Sequence, residues 1–158
     1  MSLHTIAIQI DEQFQEQIQP DTLRLAALAP LIHQQVGEAC ELAIVVTDEG
    51  ALHELNLRHR GVDAPTDVLA FPDETRGPFV GAPGLPRYLG DVIISFPRAA
   101  IQARKGKHTV QAELQLLVVH GVLHLLGYDD VAAEQRAQMW AVQAEIVQAL
   151  EIAVNLPE

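Results

Sequence analysis

Thr109 to Leu126 is the longest apolar stretch of the chain, and its spacing predicts a helix that carries two histidines near its end. The closing residues read His120-Gly121-Val122-Leu123-His124-Leu125-Leu126-Gly127-Tyr128-Asp129-Asp130. Positions four apart stand one above the other on a helix, so both imidazoles can converge on a single ion. Gly127 can adopt the left-handed conformation that ends a helix. The chain can then turn back and present Asp130 as a third ligand. Three nitrogen and oxygen ligands with an open fourth position describe a catalytic zinc centre rather than a closed structural one. Asp130 also has a plainer role open to it, as N-cap of a helix starting at Val131.

The rest of the chain alternates between the two periodicities. His4 to Ile10 places Ile6, Ile8 and Ile10 on one face of a strand. Asp21 is positioned to cap a helix reaching about Val36, with Pro30 marking a kink or a break. Glu41 to Thr47 predicts a buried strand, followed by Asp48 as N-cap of a short helix ending near Gly61. Val68 to Phe71 is a brief strand closed by Pro72, and Tyr88 to Phe96 is a second central strand. Between them, Asp73 to Pro86 holds six glycines or prolines and predicts a loop. Pro97 fits the first turn of a helix reaching about Ala103, and Val131 to Ile152 predicts the last helix, with Met139 and Trp140 on its core face. This order implies one mixed α/β or α+β domain over residues 1–158.

No apolar run approaches the ~20 residues needed to cross a bilayer, and the N-terminus lacks a basic head followed by an apolar stretch. The lone Cys40 fits a reducing cytosol and a small buried hydrophobe. A net charge of -11 argues at first against a nucleic-acid partner. Eight of the ten basic residues, however, fall between Arg58 and Lys107, where only five acids stand. Such segregation permits a basic groove on an acidic body. A solvated surface with chance clustering is the other reading.

The histidine spacing is that of the metzincin pattern H-E-x-x-H-x-x-G-x-x-H, with two departures. Gly121 stands where those proteases keep a glutamate general base, and Asp130 stands where they keep a third histidine. Peptide hydrolysis is thereby weakened, since its base must come from elsewhere. Glu113, two helical turns before His120, could point along the same face, or it could be a solvent-facing or capping acid.

A second constellation precedes this one. Arg60 beside Gly61 can offer a planar fork of donors to a phosphate. Thr66 and Asp67, at a loop-to-strand transition, could bind substrate or hold Arg60 in place; a turn with a surface arginine is the alternative. Taken together, Asn56-x-x-x-Arg60-Gly61-x-Asp63-x-Pro65-Thr66-Asp67-Val68-Leu69-x-Phe71-Pro72, then Leu89-Gly90-Asp91-Val92-Ile93-Ile94-Ser95, then His120 to Asp129, closely resemble the YbeY family of bacterial metal-dependent endoribonucleases.

That resemblance implies an α+β, zincin-like single domain, with a small mixed sheet packed by helices. The metal site would lie on and just after a helix in the C-terminal half. It also implies a cytoplasmic, single-strand-specific, zinc-dependent endoribonuclease. The expected role is 16S rRNA 3′-end maturation and ribosome quality control, with precursor rRNA and ribosomal small-subunit proteins as partners. The family's motif histidines map onto His120 and His124, while its third histidine is replaced here by Asp130. A carboxylate is a competent zinc ligand, but it lowers the positive charge of the site and can change which divalent metal is preferred. The family arginine maps onto Arg60, which the resemblance implies contributes to activity; read from the residues, Arg60 and His120 are the catalytic candidates and Arg60, Thr66 and Asp67 the substrate-binding ones. His59 and Ala70 replace the commoner tyrosine and serine. The few aromatic residues predict poor sequence selectivity on RNA. Two rivals stay open: a metal-dependent hydrolase of another substrate, peptide included, and a non-enzymatic ribosome-assembly factor with a structural metal.

Overall fold

The computed structural model describes residues 3–73 and 85–154. Four strands and five helices follow in the order β1 (Thr5–Ile10), α1 (Pro20–His33), β2 (Cys40–Thr47), α2 (Glu49–Arg60), β3 (Val68–Pro72), β4 (Arg87–Ser95), α3 (Phe96–Gly106), α4 (Val110–Leu125) and α5 (Ala133–Ala149). They build a mixed sheet in the order β1-β2-β4-β3. β1, β2 and β4 run parallel, while β3 pairs antiparallel to β4 at one edge. The loop expected over Asp73 to Pro86 lies mostly outside the described residues, as does Arg76 of the basic cluster.

Burial explains why these segments fold as they do. Leu42, Ile44 and Val46 alternate along β2 and are fully buried, as are Val92 and Ile94 on β4. Strands covered by helices need such β-branched, apolar positions. α4 lies against the sheet and against α1, α3 and α5. Leu114, Val118, Val119, Val122 and Leu123 on it are fully buried, at roughly 1.5–3 kcal/mol for each large side chain. Its N-terminus is capped by Thr109, whose hydroxyl accepts from Ala112 N at 3.0 Å. Asp48 caps α2 in the same way, accepting from Ala51 N at 2.8 Å. Each such cap is worth about 1 kcal/mol.

Several boundaries depart from the sequence reading. Asp21 does not cap α1; Pro20 takes the first helical position, Gln19 is the cap residue, and Asp21 sits inside the first turn. Proline loses nothing there, because its missing N–H has no helical partner at that position. Pro30 neither ends the helix nor lies at its surface: it is buried in the last turn of α1, which runs to His33 rather than Val36. α3 extends past Ala103 to Gly106, closed by Lys107 in the left-handed region at φ 61°. A short 3-10 turn, Glu12–Gln17, was not anticipated; it buries Phe14 against Phe96 with ring centroids 4.6 Å apart. The last helix begins at Ala133, not Val131, and stops at Ala149, short of Ile152. Met139 is fully buried on it, and Trp140 is partly so.

Candidate metal centre

The C-terminus of α4 builds the site. Gly127 has φ 103°, and the amides of Gly127 and Tyr128 bond back to the carbonyls of His124 and Leu123 at 3.0 Å each. A side-chain-bearing residue adopts that φ at a cost, so glycine is what lets α4 end there. The chain then reverses through Tyr128, whose hydroxyl donates to Gln34 Oε1 at 2.9 Å and ties the turn to the end of α1.

Asp130 is thereby brought back over the histidines. The α5 cap residue is Ala132, which makes no side-chain cap bond, and Asp129 rather than Asp130 accepts from the Val131 amide at 3.0 Å. The plainer capping role is therefore not the one Asp130 takes. Its Oδ2 stands 3.6 Å from His120 Nε2 and 3.6 Å from His124 Nε2, while the two Nε2 atoms are 3.2 Å apart. Ligands at about 2.0–2.1 Å from a tetrahedral ion are separated by about 3.3 Å, which this triangle matches closely. Among the described residues, these three form the one cluster of histidine and carboxylate ligands able to hold an ion.

Hydrogen bonds behind the rings set their orientation. His120 Nδ1 donates to Gln143 Oε1 at 2.8 Å, and His124 Nδ1 donates to the Tyr128 carbonyl at 3.0 Å. Each Nε2 is then left with a lone pair facing the other. Two lone pairs and a carboxylate oxygen repel one another unless a cation lies between them. Such outer bonds are the usual means of orienting metal-binding imidazoles. Burial is the largest influence on His120 and pushes its pKa below the ordinary 6.5; neighbouring His124 adds to the drop, while Gln143, Asp130 and Asp67 oppose it. Burial thus favours the neutral ring, the form that binds metal.

A cleft of about 420 Å³ opens over this triangle and is lined also by Arg60, Thr66, Asp67 and the β3 strand. The two constellations separated in sequence thus meet at one surface. Arg60 is exposed on the rim, with Nη1 donating to Asn56 Oδ1 at 3.2 Å. Asn56 is 2% exposed and also donates from Nδ2 to the Ala64 carbonyl at 2.8 Å, so it fixes both the loop and the arginine. Asp67 is spent internally: Oδ1 accepts from Val68 N at 2.7 Å and Oδ2 from Gln102 Nε2 at 3.1 Å. That pattern shapes the cleft wall. It does not bring Asp67 to Arg60, the role the sequence left open for it.

Glu113 differs from both of its expected roles. It is 5% exposed and pairs with His108 at 2.6 Å on the far side of His120, so it neither faces solvent nor lines the metal cleft. Burial raises its carboxyl above the ordinary range, with His108 opposing the shift. Gly121 explains its own departure from the protease pattern: a Cβ there would meet Val92 Cγ1 at 2.5 Å. α4 presses on β4 at that point, leaving no room for a glutamate. Gln143 was missed altogether. Its signal was a polar residue in phase with Met139, Ile146 and Val147 on the buried face of α5.

The expected basic groove is only partly there. Arg58 pairs with Glu54, Arg87 with Glu38 and Arg98 with Glu49; among the described residues of that segment this leaves Arg60, which lines the cleft, and the exposed Arg104, Lys105 and Lys107.

Comparison with known proteins adds three observations. The family model described as Endoribonuclease YbeY matches residues 4–151. Proteins named Endoribonuclease YbeY are similar throughout. One from Chloroflexus aurantiacus is 44% identical over 147 residues, covering 92% of this chain and 94% of its own. One from Roseiflexus sp. is 41% identical over 151 residues, covering 94% of each. One from Shouchella clausii is 45% identical over 139 residues, covering 85% of this chain and 84% of its own. The solution structure of a Thermotoga maritima protein shares the fold, with a TM-score of 0.55 at 24% identity over 92% of this chain and 91% of that one.

Proposed function

The chain belongs to the Endoribonuclease YbeY family, and from that premise we propose that it is a metal-dependent endoribonuclease that hydrolyses single-stranded RNA. The observation that carries this reading is the triangle of His120, His124 and Asp130 at the base of a cleft whose rim holds Arg60. We assign the ion as zinc, which takes nitrogen and oxygen ligands in this geometry and keeps a fourth position open in catalytic sites. When bound, it supplies Lewis acidity and a water of lowered pKa.

The protein's own residues do the rest. His120 and His124 turn their Nε2 atoms toward the ion's position because Gln143 and the Tyr128 carbonyl accept from their Nδ1 atoms. Arg60 reaches the cleft with a guanidinium already oriented by Asn56, placed to neutralise charge that builds on a scissile phosphate. Thr66 and Asp67 form the wall along which the strand lies. Gly121 leaves no space for the base a zinc protease uses, which favours phosphodiester over peptide hydrolysis. We further assign the physiological substrate as precursor rRNA, in 16S 3′-end maturation and ribosome quality control in the cytoplasm. Small-subunit proteins would present the site, and the fold is assigned as zincin-like. No helix among the described residues is long and apolar enough to cross a membrane.

The test is cleavage of matched single-stranded and duplex RNA by metal-analysed protein, before and after chelation and zinc restoration. Cutting confined to single strands, lost on chelation and restored by zinc, is the expected result. Undiminished cutting by a metal-free His120→Ala His124→Ala protein would overturn the proposal.

A further inference from the structure

Behind the metal cleft lies a second cavity of about 350 Å³, large enough for a small ligand. It shares Asp67, Val68 and His120 with the cleft. His120 stands between the two spaces, with Nε2 toward the ligand triangle and Nδ1 toward Gln143, which lines the second cavity.

The lining of this cavity holds hydrogen-bonding capacity that the protein does not use. Gln143 is 6% exposed, and its amide nitrogen has no partner among the described residues. The buried indole N–H of Trp140 has none either. Glu113 gives one oxygen to His108, and its other oxygen has no partner among the described residues. Buried polar groups are ordinarily satisfied, so the unpartnered indole N–H of Trp140, beside the Gln143 amide nitrogen and the second Glu113 oxygen that no hydrogen bond among the described residues uses, gives this space the polarity of a ligand site.

Charge decides what kind of ligand. Asp67 and Glu113 both line the space, so a phosphate is repelled. Val68, Leu116 and Leu117 supply apolar walls, which suit a flat uncharged ring with polar groups on one edge. Arg104, Lys105 and Lys107 are exposed around Gly106 and His108, which line the cavity, and they form no ion pair among the described residues. A phosphate backbone can therefore pass outside while a base turns in.

We propose that this cavity is a subsite for an unpaired guanine of the RNA strand whose scissile phosphate lies in the metal cleft; the inference rests on the endoribonuclease reading. The N1–H and N2 amino groups of guanine donate to the free lone pairs of Glu113, and O6 accepts from Gln143. A base held in a duplex cannot enter, so the same subsite gives a physical reason for single-strand preference. The scarcity of aromatics predicts poor selectivity overall; this cavity predicts discrimination at one position.

The test uses metal-loaded full-length protein and single-stranded oligouridylates carrying one guanine, adenine, cytosine or inosine at a fixed position. Cutting at a constant distance from the guanine is expected, with kcat/KM on the order of tenfold above adenine. Inosine, which lacks the 2-amino group, should fall between them. Glu113→Gln and Leu117→Trp, the latter filling the cavity, should each bring the guanine-to-adenine ratio near one. Both positions are buried, so melting and metal content are measured alongside. The inosine comparison on wild-type protein stands without either variant. Equal rates for every base, or a guanine preference that survives in both folded variants, overturns the subsite and leaves the endoribonuclease reading intact. No cutting of any RNA by the metal-loaded wild type overturns both.

Discussion

His120 and Gln143 are joined by a 2.8 Å hydrogen bond that fixes the ring of a metal-ligand candidate on α4 to the buried face of α5. Gln143→Leu removes the acceptor and leaves the Nδ1 proton without its partner. Zinc affinity should fall by about 10- to 100-fold, while Gln143→Glu retains an acceptor and should lose less. Competition with a fluorescent chelator measures both. Equal affinity of wild type and Gln143→Leu would show that the bond does not support the site.

Asp130 closes the triangle at 3.6 Å from each histidine. Asp130→Ala should therefore weaken zinc binding strongly, and Asp130→His should restore it, since imidazole is also a competent ligand at similar distance. Metal content after gel filtration checks the ranking. Full occupancy in Asp130→Ala would remove this residue from the ligand set.

Gly121 lets α4 approach β4, and a Cβ at that position would meet Val92 Cγ1 at 2.5 Å. Gly121→Ala gains up to about 1 kcal/mol of helix propensity but should lose about 1–3 kcal/mol to overpacking. Net destabilisation in urea unfolding is expected, with partial recovery in Gly121→Ala Val92→Ala. Additive costs in that double-mutant cycle would mean the two positions do not meet.

The lowered pKa of His120 has a definite sign in stability. Below its ordinary 6.5, an unfolded chain takes up a proton that the folded chain refuses. This group's contribution to the stability of metal-free protein is thus fully present above that pH and is lost as pH falls toward the depressed folded value. Replacing His120 by glutamine should flatten that part of the profile. Thermal unfolding of the metal-free proteins between pH 7 and 5, about the range in which an ordinary histidine titrates, measures the difference. Identical slopes would contradict it.

What the sequence made legible was the part written in short-range spacing. The four-residue interval of His120 and His124, the glycine at 127 and the cap at Asp48 each follow from local geometry, and each stands as expected. Arg60, Thr66 and Asp67 were singled out too, but only the sheet brings them to the same cleft as the histidines. Gln143 stands in phase with the buried face of α5, which marks it as inward-facing, but the pairing of α5 with α4 that brings it to His120 is not encoded in that pattern. Asp21 was displaced as a cap by the neighbouring Pro20, a competition between two good first-turn residues. Within the basic segment, Arg58, Arg87 and Arg98 find acidic partners that linear counting cannot see.

The three metal-ligand candidates differ in how they are mounted. Two project from α4, which is locked in the core, whereas Asp130 sits on the short turn between α4 and α5, flanked by the exposed Asp129 and Val131. Swinging that turn outward would release one ligand without melting either helix. Exchange of a bound ion would then be a local opening event, separate from global unfolding.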